Sequence, residues 1–205
     1  MSAQGATGSG EIPDDLEVLG EQAWIRLSRA SADRNSPFRQ LQLATLSPQG
    51  WPEIRSVILR ECSPSARQIA FHTDKRSAKF GEIRRDGRVS IHLWDAKPQI
   101  QLRLWGQAVA ESDERGADAA WDRLVEVQRA VYRGALPPGR VTAGATDAAE
   151  AMQKPGAGGV DPGRQHFARV AVTVMRFEWL QLRQGGHRRA RFDWKGAWQG
   201  QWLVP

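Results

Sequence analysis

From residue 14 the apolar positions fall three and four apart, at Leu16, Leu19, Ala23 and Leu27. That is the spacing of one buried helix face. Asp14 or Asp15 can cap it by accepting from the first amides, and Asn35-Ser36-Pro37 stops it. The period then changes to two. Residues 41–47 (LQLATLS) alternate apolar and polar as a half-buried strand does. Pro48-Gln49-Gly50 supplies a turn, and 51–61 reads as the returning strand. A third strand, 68–72, runs into a short helix, 77–85, capped by Ser77 and closed by Asp86-Gly87. Residues 88–94 (RVSIHLW) and 99–111 (QIQLRLWGQAVAE) are further strands. In the second, Gln99, Gln101 and Arg103 recur at period two, and Gly106 marks a bulge or bend.

Helical periodicity returns over 114–132, with Trp121, Leu124, Val125 and Val131 as buried candidates. Residues 134–163, rich in Gly, Ala and Pro, read as a flexible loop carrying one short helix near 147–153. Three strands, 167–182, 188–194 and 198–203, end the chain, with turns at Gln184-Gly185-Gly186 and Lys195-Gly196. Seven or eight antiparallel strands with two or three helices and no internal repeat describe an α+β fold, an antiparallel β-barrel with peripheral helices.

Composition narrows the class. The 205 residues suit one domain, 11–205, behind a Gly/Ser/Ala-rich tail, 1–10, expected to be disordered. No apolar run is long enough for a membrane helix, and the N-terminus lacks the apolar centre of a signal peptide. The single cysteine, Cys62, cannot form an intramolecular disulfide, which suits a reducing, cytoplasmic setting. The net charge of +6 comes from arginines spread along the chain. Their densest run, 187–191 (HRRAR), is short, which favours a local anion site over a nucleic-acid track. A basic nucleic-acid-binding barrel using arginines and tryptophans is the lesser alternative.

Candidate chemistry concentrates between residues 55 and 79. Arg55, Arg60, Thr73, Ser77 and Lys79 surround a strand end and a helix start, where outward amides and cations can hold a phosphate monoester. Arg55 and Arg60 are five apart and face opposite sides of a regular strand, so both serve one ligand only if the strand bends. The competing reading is a solvated basic strand end with a routine helix cap. Gln101 can donate to and accept from the edge of a heterocycle, or simply lie on an exposed polar face. His187 and Arg189, two apart on a strand, could bind an anionic substrate or merely flank a hairpin turn. His72, His92, His166 and His187 show no metal-ligand spacing, so no metal is expected. The nine tryptophans suit core, subunit interface or ring stacking.

IRSVILR, FHTD, RSAK, VSIHLW and QLRLWG stand in an order and spacing that resembles the pyridoxamine 5′-phosphate oxidase-like, FMN-binding split-barrel family. The similarity is greater to a branch of FMN-binding flavoproteins than to the vitamin B6 oxidase itself. It covers residues 41–111 and resumes over 167–205. It implies a split barrel binding FMN at a homodimer interface. Arg55, Ser56, Val57, Ile58, Leu59 and Arg60 would line the flavin and its phosphate. His72 and Thr73 match an aromatic-Thr pair, and Ser77 lies at the phosphate-facing helix start. Lys79 matches a phosphate-binding lysine, Gln101 a glutamine facing the isoalloxazine, and Arg191 a C-terminal arginine reaching the cofactor. Arg60 corresponds to a substrate-phosphate lysine, and His187 and Arg189 to a substrate pair in reversed order.

The sequence also departs from the oxidase. Ala78 replaces a phosphate-binding arginine, Leu180 a flavin-contacting tryptophan, and the 134–163 loop lacks the substrate segment. The resemblance therefore implies FMN more strongly than pyridoxamine phosphate. The expected function is a cytoplasmic, homodimeric FMN-dependent oxidoreductase passing hydride from an unidentified small substrate to flavin N5. A non-catalytic flavin-binding or sensing module is the alternative, and no general base is assigned.

Overall fold

Asp15 caps the first helix among the described residues: its carboxylate accepts from the amides of Glu17 and Val18, so helix α1 (Leu16–Ala32) starts on a satisfied cap. The computed structural model describes residues 14–111, 116–144 and 161–205. The tail 1–10, the helix expected near 147–153 and the middle of the 134–163 loop lie outside the described residues.

Eight strands follow: β1 (Gln40–Leu46), β2 (Pro52–Ser63), β3 (Gln68–Asp74), β4 (Arg88–Asp95), β5 (Ile100–Glu111), β6 (Phe167–Gln181), β7 (Arg188–Trp194) and β8 (Trp198–Leu203). They form one antiparallel sheet in the order β3-β2-β1-β4-β5-β6-β7-β8. A further β3–β6 pairing closes the first six into a barrel and leaves β7 and β8 as an extension. Strand β6 serves both parts. Its first half, Phe167 to Thr173, pairs with β3, and its second, from Arg176, pairs with β7.

The change of partner falls at a bulge. Trp105 pairs with Arg176 but Gly106 with Val174, so Met175 is the extra residue. Gly106 thus marks an irregularity, as expected, although the inserted residue lies on the partner strand. The backbones are so close that a Cβ on Gly106 would meet the Thr173 carbonyl oxygen at 2.4 Å.

Alternate residues of each strand fill the barrel, among them Leu41, Leu43, Leu59, Phe71, Ile91, Leu102 and Val172. α1 closes one side by packing Leu19, Ala23, Trp24 and Leu27 into the same core, where Phe177 and Phe192 stack at 4.5 Å. Helix α2 (Ala78–Arg85) contributes Phe80 and Ile83. A second cluster, Ala117, Ala120, Trp121, Leu124, Tyr132 and Phe167, packs beside the outer side of β3.

That cluster corrects the helix expected over 114–132. Two short helices occur instead, α3 (Gly116–Asp122) and α4 (Glu126–Ala130). The chain tightens after Trp121, whose carbonyl accepts from the Leu124 amide only three residues on. Trp121 and Leu124 are buried, but Val125 and Val131 are exposed. The break rotates the β-branched positions away from the cluster, so apolar spacing alone misplaces them.

Candidate functional site

β3 pairs with β2 only from Leu59 onward, while β1 pairs with β2 from Pro52 to Ile58. Among the described residues, the edge of β2 ahead of Leu59 therefore has no strand partner on the β3 side, and α2 starts nearby. Along this stretch Val57 and Leu59 point into the core and are buried, so they can offer a ligand only main-chain groups. Ser56 and Ile58 point outward. Arg55 points to the inner side and is held by Glu82 at 2.9 Å and by the Thr45 hydroxyl.

Lys79, in the first turn of α2, lies close enough to Arg55 for the two charges to interact. Burial and then Arg55 push the Lys79 ammonium below its ordinary range, while Asp74 and Glu82 oppose the shift. Two crowded, half-buried cations are a natural seat for a dianion. Ser77 does not cap α2 with its side chain. Its hydroxyl donates to the Asp74 carbonyl at 2.6 Å and lies 3.1 Å from the Thr73 hydroxyl. Among the described residues, the first amides of α2 thus have no side-chain cap, at the positive end of the helix dipole. Thr73 and Ser77, both buried, shape this corner, and their protons are spent on each other and on the backbone. The unpaired strand edge, the Arg55–Lys79 pair and the open helix start fit a phosphate monoester such as that of FMN.

The bulge between Leu59 and Glu61 makes Arg60 the extra residue of β2. It keeps the side opposite Arg55 and comes near His72 and Tyr132. Burial, and next Arg60, depress the His72 imidazole to about 4, and the ring packs edge-on against Phe167 at 4.8 Å. Burial pushes the Tyr132 phenol up to about 12, although Arg60 opposes the rise. No acid pairs with Arg60 among the described residues, and burial lowers its guanidinium from the ordinary value. Arg60 and His72 therefore form a separate corner from Arg55, Thr73, Ser77 and Lys79.

The outer face of the sheet carries a feature that local sequence does not reveal. Read through the pairings, Ser56, Gln42, His92, Arg103, Glu178, Arg191 and Gln201 stand opposite one another on seven successive strands. Every member of this row is polar. The Ser56 hydroxyl donates to the Gln42 carbonyl oxygen at 3.1 Å. Glu178 is gripped by Arg189 at 2.7 Å and by Arg103 at 3.6 Å. Arg191 pairs with Asp193 at 3.0 Å, which also takes Arg176 at 2.6 Å. Gln101 lies diagonally beside the row, its carbonyl oxygen 3.1 Å from His92 Nε2.

Apolar side chains flank this polar row on the same face: Ile54, Ile58, Trp94 and Leu180, with Trp105 under the Arg103 guanidinium at 4.6 Å. A pocket of about 190 Å³ lies over Gln42, Ile54, His92, Arg103 and Trp105. A groove of about 940 Å³ adjoins it through Ala44, Ser90 and Trp105 and runs toward Arg67 and Trp194. This open face is where a planar heterocycle can lie.

The structure thus brings Ser56, Gln101 and Arg191 to one face and Arg55, Thr73, Ser77 and Lys79 to one corner. It does not set His187 on a strand: this residue precedes β7, and its Nδ1 accepts from the Arg183 amide at 3.3 Å in the turn. Arg189 is on β7 but engaged by Glu178. Gln42 and His92 belong to the site face and carry no signal in the linear sequence, because cross-strand register places them there. Arg76, beside the helix start, ion-pairs with Asp74 and donates to the Gly134 carbonyl, tying down the start of the following loop.

Known proteins share the fold and part of the sequence. Residues 21–112 match the family described as pyridoxamine 5′-phosphate oxidase, FMN-binding domain. The chain is 28% identical over 199 residues to the pyridoxine/pyridoxamine 5′-phosphate oxidase of Novosphingobium aromaticivorans, covering 94% of each. It is 31% identical over 109 residues to the enzyme of that name from Erythrobacter litoralis, across 53% of this chain and 49% of that one. Among solved structures it resembles a pyridoxamine 5′-phosphate oxidase-related, FMN-binding protein of Nostoc punctiforme, with a TM-score of 0.71, 23% identity, and 91% and 96% coverage. It also resembles PhzG of Burkholderia lata, solved with tetrahydrophenazine-1-carboxylic acid, with a TM-score of 0.68, 21% identity and 94% coverage of both chains. These two likenesses speak to the fold. Residues 21–112 thus match an FMN-binding domain, and the strand order builds the barrel seen in these solved structures.

Proposed function

We propose that the chain is an FMN-dependent oxidoreductase, working as a homodimer on a small substrate. When bound, FMN would supply the redox chemistry by accepting a hydride at N5. The chain's own residues supply the seat. Arg55, Lys79 and the first amides of α2 hold the phosphate, the β2 edge offers main-chain groups, and Gln101 faces the polar rim of the ring. Arg60, with no acid partner among the described residues, is the substrate-contact candidate, and Arg189 belongs to the same proposed substrate set. His187, held in its turn, is the weakest member of the proposed substrate set.

The observation that carries the dimer is the position of Arg191. Ser56 and Arg191 are separated by five strand spacings, on the order of 24 Å along a convex face. We read this arginine as serving the FMN of a second copy rather than the one anchored at Arg55 and Lys79 of its own chain. A second copy, related by a twofold axis, can bring its own Arg191 to the ring. Each site then draws on both chains.

A second reading, a flavin-binding module without turnover, is favoured by one observation. On the open face the carboxylates of Glu178 and Asp193 are each held by two arginines, which leaves neither placed as a proton acceptor. Anaerobic mixing of the FMN-loaded protein with nicotinamide cofactors and B6 phosphates decides between the two. Bleaching of the flavin absorption by one of them supports the oxidoreductase, whereas a flavin that stays oxidised with every donor supports the binding module.

A further inference from the structure

His92 is a side chain that no part of the proposed chemistry yet uses, and its place in the fold is specific. Strand β4 presents it outward, opposite Gln42 on one side and Arg103 on the other. Gln101 faces Trp94 across the β4–β5 ladder, so His92 and Gln101 are diagonal neighbours on one face, within reach of long side chains. The contact is His92 Nε2 to Gln101 Oε1 at 3.1 Å.

The chemistry of the two groups constrains what this contact does. With its oxygen toward His92, Gln101 can only accept there, which calls for the imidazole tautomer with its hydrogen on Nε2. With the oxygen committed, the amide nitrogen of Gln101 is left as the group turned to the open face. A free glutamine side chain is ambiguous, because a half-turn of its amide exchanges donor for acceptor at little cost. His92 in the tautomer with its hydrogen on Nε2 removes that ambiguity.

We propose that His92 is a positioning residue that fixes the Gln101 amide as a hydrogen-bond donor toward the flavin. The inference rests on the reading that Gln101 faces the isoalloxazine. The oxidised ring presents carbonyl oxygens and unprotonated nitrogens along its polar edge, so a donor there is complementary and an acceptor is repelled. His92 acts before the cofactor arrives, by selecting one amide orientation. Gln42 and Ser56 prolong the same outward face on the other side of His92, through the 3.1 Å bond between them.

The test is a double-mutant cycle on FMN affinity, read by quenching of flavin fluorescence in the full-length apoprotein. Gln101→Leu is expected to weaken binding by about tenfold and His92→Leu by about fivefold, the size of one uncharged hydrogen bond. In the Gln101→Leu background, His92→Leu should cost nothing further, because it acts only through Gln101. Gln101→Glu, which offers only acceptors, should bind FMN more weakly than Gln101→Leu.

Equal costs of His92→Leu in both backgrounds would overturn the positioning role while leaving the flavin-facing Gln101 intact. Unchanged affinity in Gln101→Leu would overturn that reading of Gln101 and this inference with it. Full affinity in Gln101→Glu would overturn the donor assignment. Thermal unfolding of each apoprotein separates these outcomes from misfolding, since a merely structural role shifts the midpoint without this pattern of non-additivity.

Discussion

Ser56 and Arg191 stand on the same face of the sheet and in the same cross-strand row, with Gln42, His92, Arg103 and Glu178 between them. Both are proposed cofactor contacts, yet five strand spacings part them along the sheet. If each site combines Ser56 and Lys79 of one chain with Arg191 of another, two defective variants can complement each other. A variant carrying Arg55→Ala and Lys79→Ala, refolded with an Arg191→Ala variant, should regain FMN binding in about a quarter of sites, the share expected for random pairing in a twofold dimer. Fluorescence titration of the mixture checks this. A mixture no better than its components would place Arg191 outside the site or in cis.

The phosphate corner gives a separable pair of effects. Lys79→Ala should lower FMN affinity while leaving apoprotein stability nearly unchanged, because Lys79 has no ion-pair partner to abandon among the described residues. Arg55→Ala should do both. It leaves the buried Glu82 carboxylate with the Thr45 hydroxyl as its remaining side-chain partner, at a cost of about 2 kcal/mol. Together the two changes should weaken FMN binding by at least about tenfold. Urea unfolding and FMN titration of the three variants measure both quantities.

The bulge is needed for the barrel to hand β6 from β3 to β7. Gly106→Ala would push a Cβ to 2.4 Å from the Thr173 oxygen and 2.9 Å from Val172 Cγ1. Backbone cannot yield there without loosening the ladder, so the variant should lose about 2–3 kcal/mol. An unchanged denaturation midpoint would mean that β5 and β6 lie further apart than described.

His72 makes stability depend on pH. Its imidazole takes up a proton near 6.5 when unfolded but only near about 4 in the fold. Between those values the unfolded chain binds more protons, so acidification through this window favours unfolding. The contribution is fully present above pH 6.5 and falls by up to about 3 kcal/mol as the pH approaches 4. His72→Phe keeps the packing against Phe167 and should flatten this part of the curve. Chemical unfolding at a series of pH values tests the difference between the two proteins.

Much of the barrel was legible in the chain because strands announce themselves locally. The alternation of 41–47 and 99–111 gave both the strands and the face on which Gln101 lies. Arg55 and Arg60 were legible as residues of opposite faces, but the bulge that turns Arg60 toward His72 and Tyr132 was not. The same limit hid His92 and Gln42. Their membership of the site depends on which residue stands opposite which across three strands, a non-local property that no spacing along the chain encodes. The helix over 114–132 failed differently. Its apolar spacing is real, but the turn after Trp121 rotates Val125 and Val131 out of the cluster.

One measurement bears most directly on FMN being held between two copies of this chain. In sedimentation velocity followed both at the protein band and at the flavin's visible band, the flavin should travel with a species of twice the chain's mass, at one FMN per chain. Flavin sedimenting with a single chain, or remaining at the free-ligand boundary while the protein sediments without it, would contradict the account.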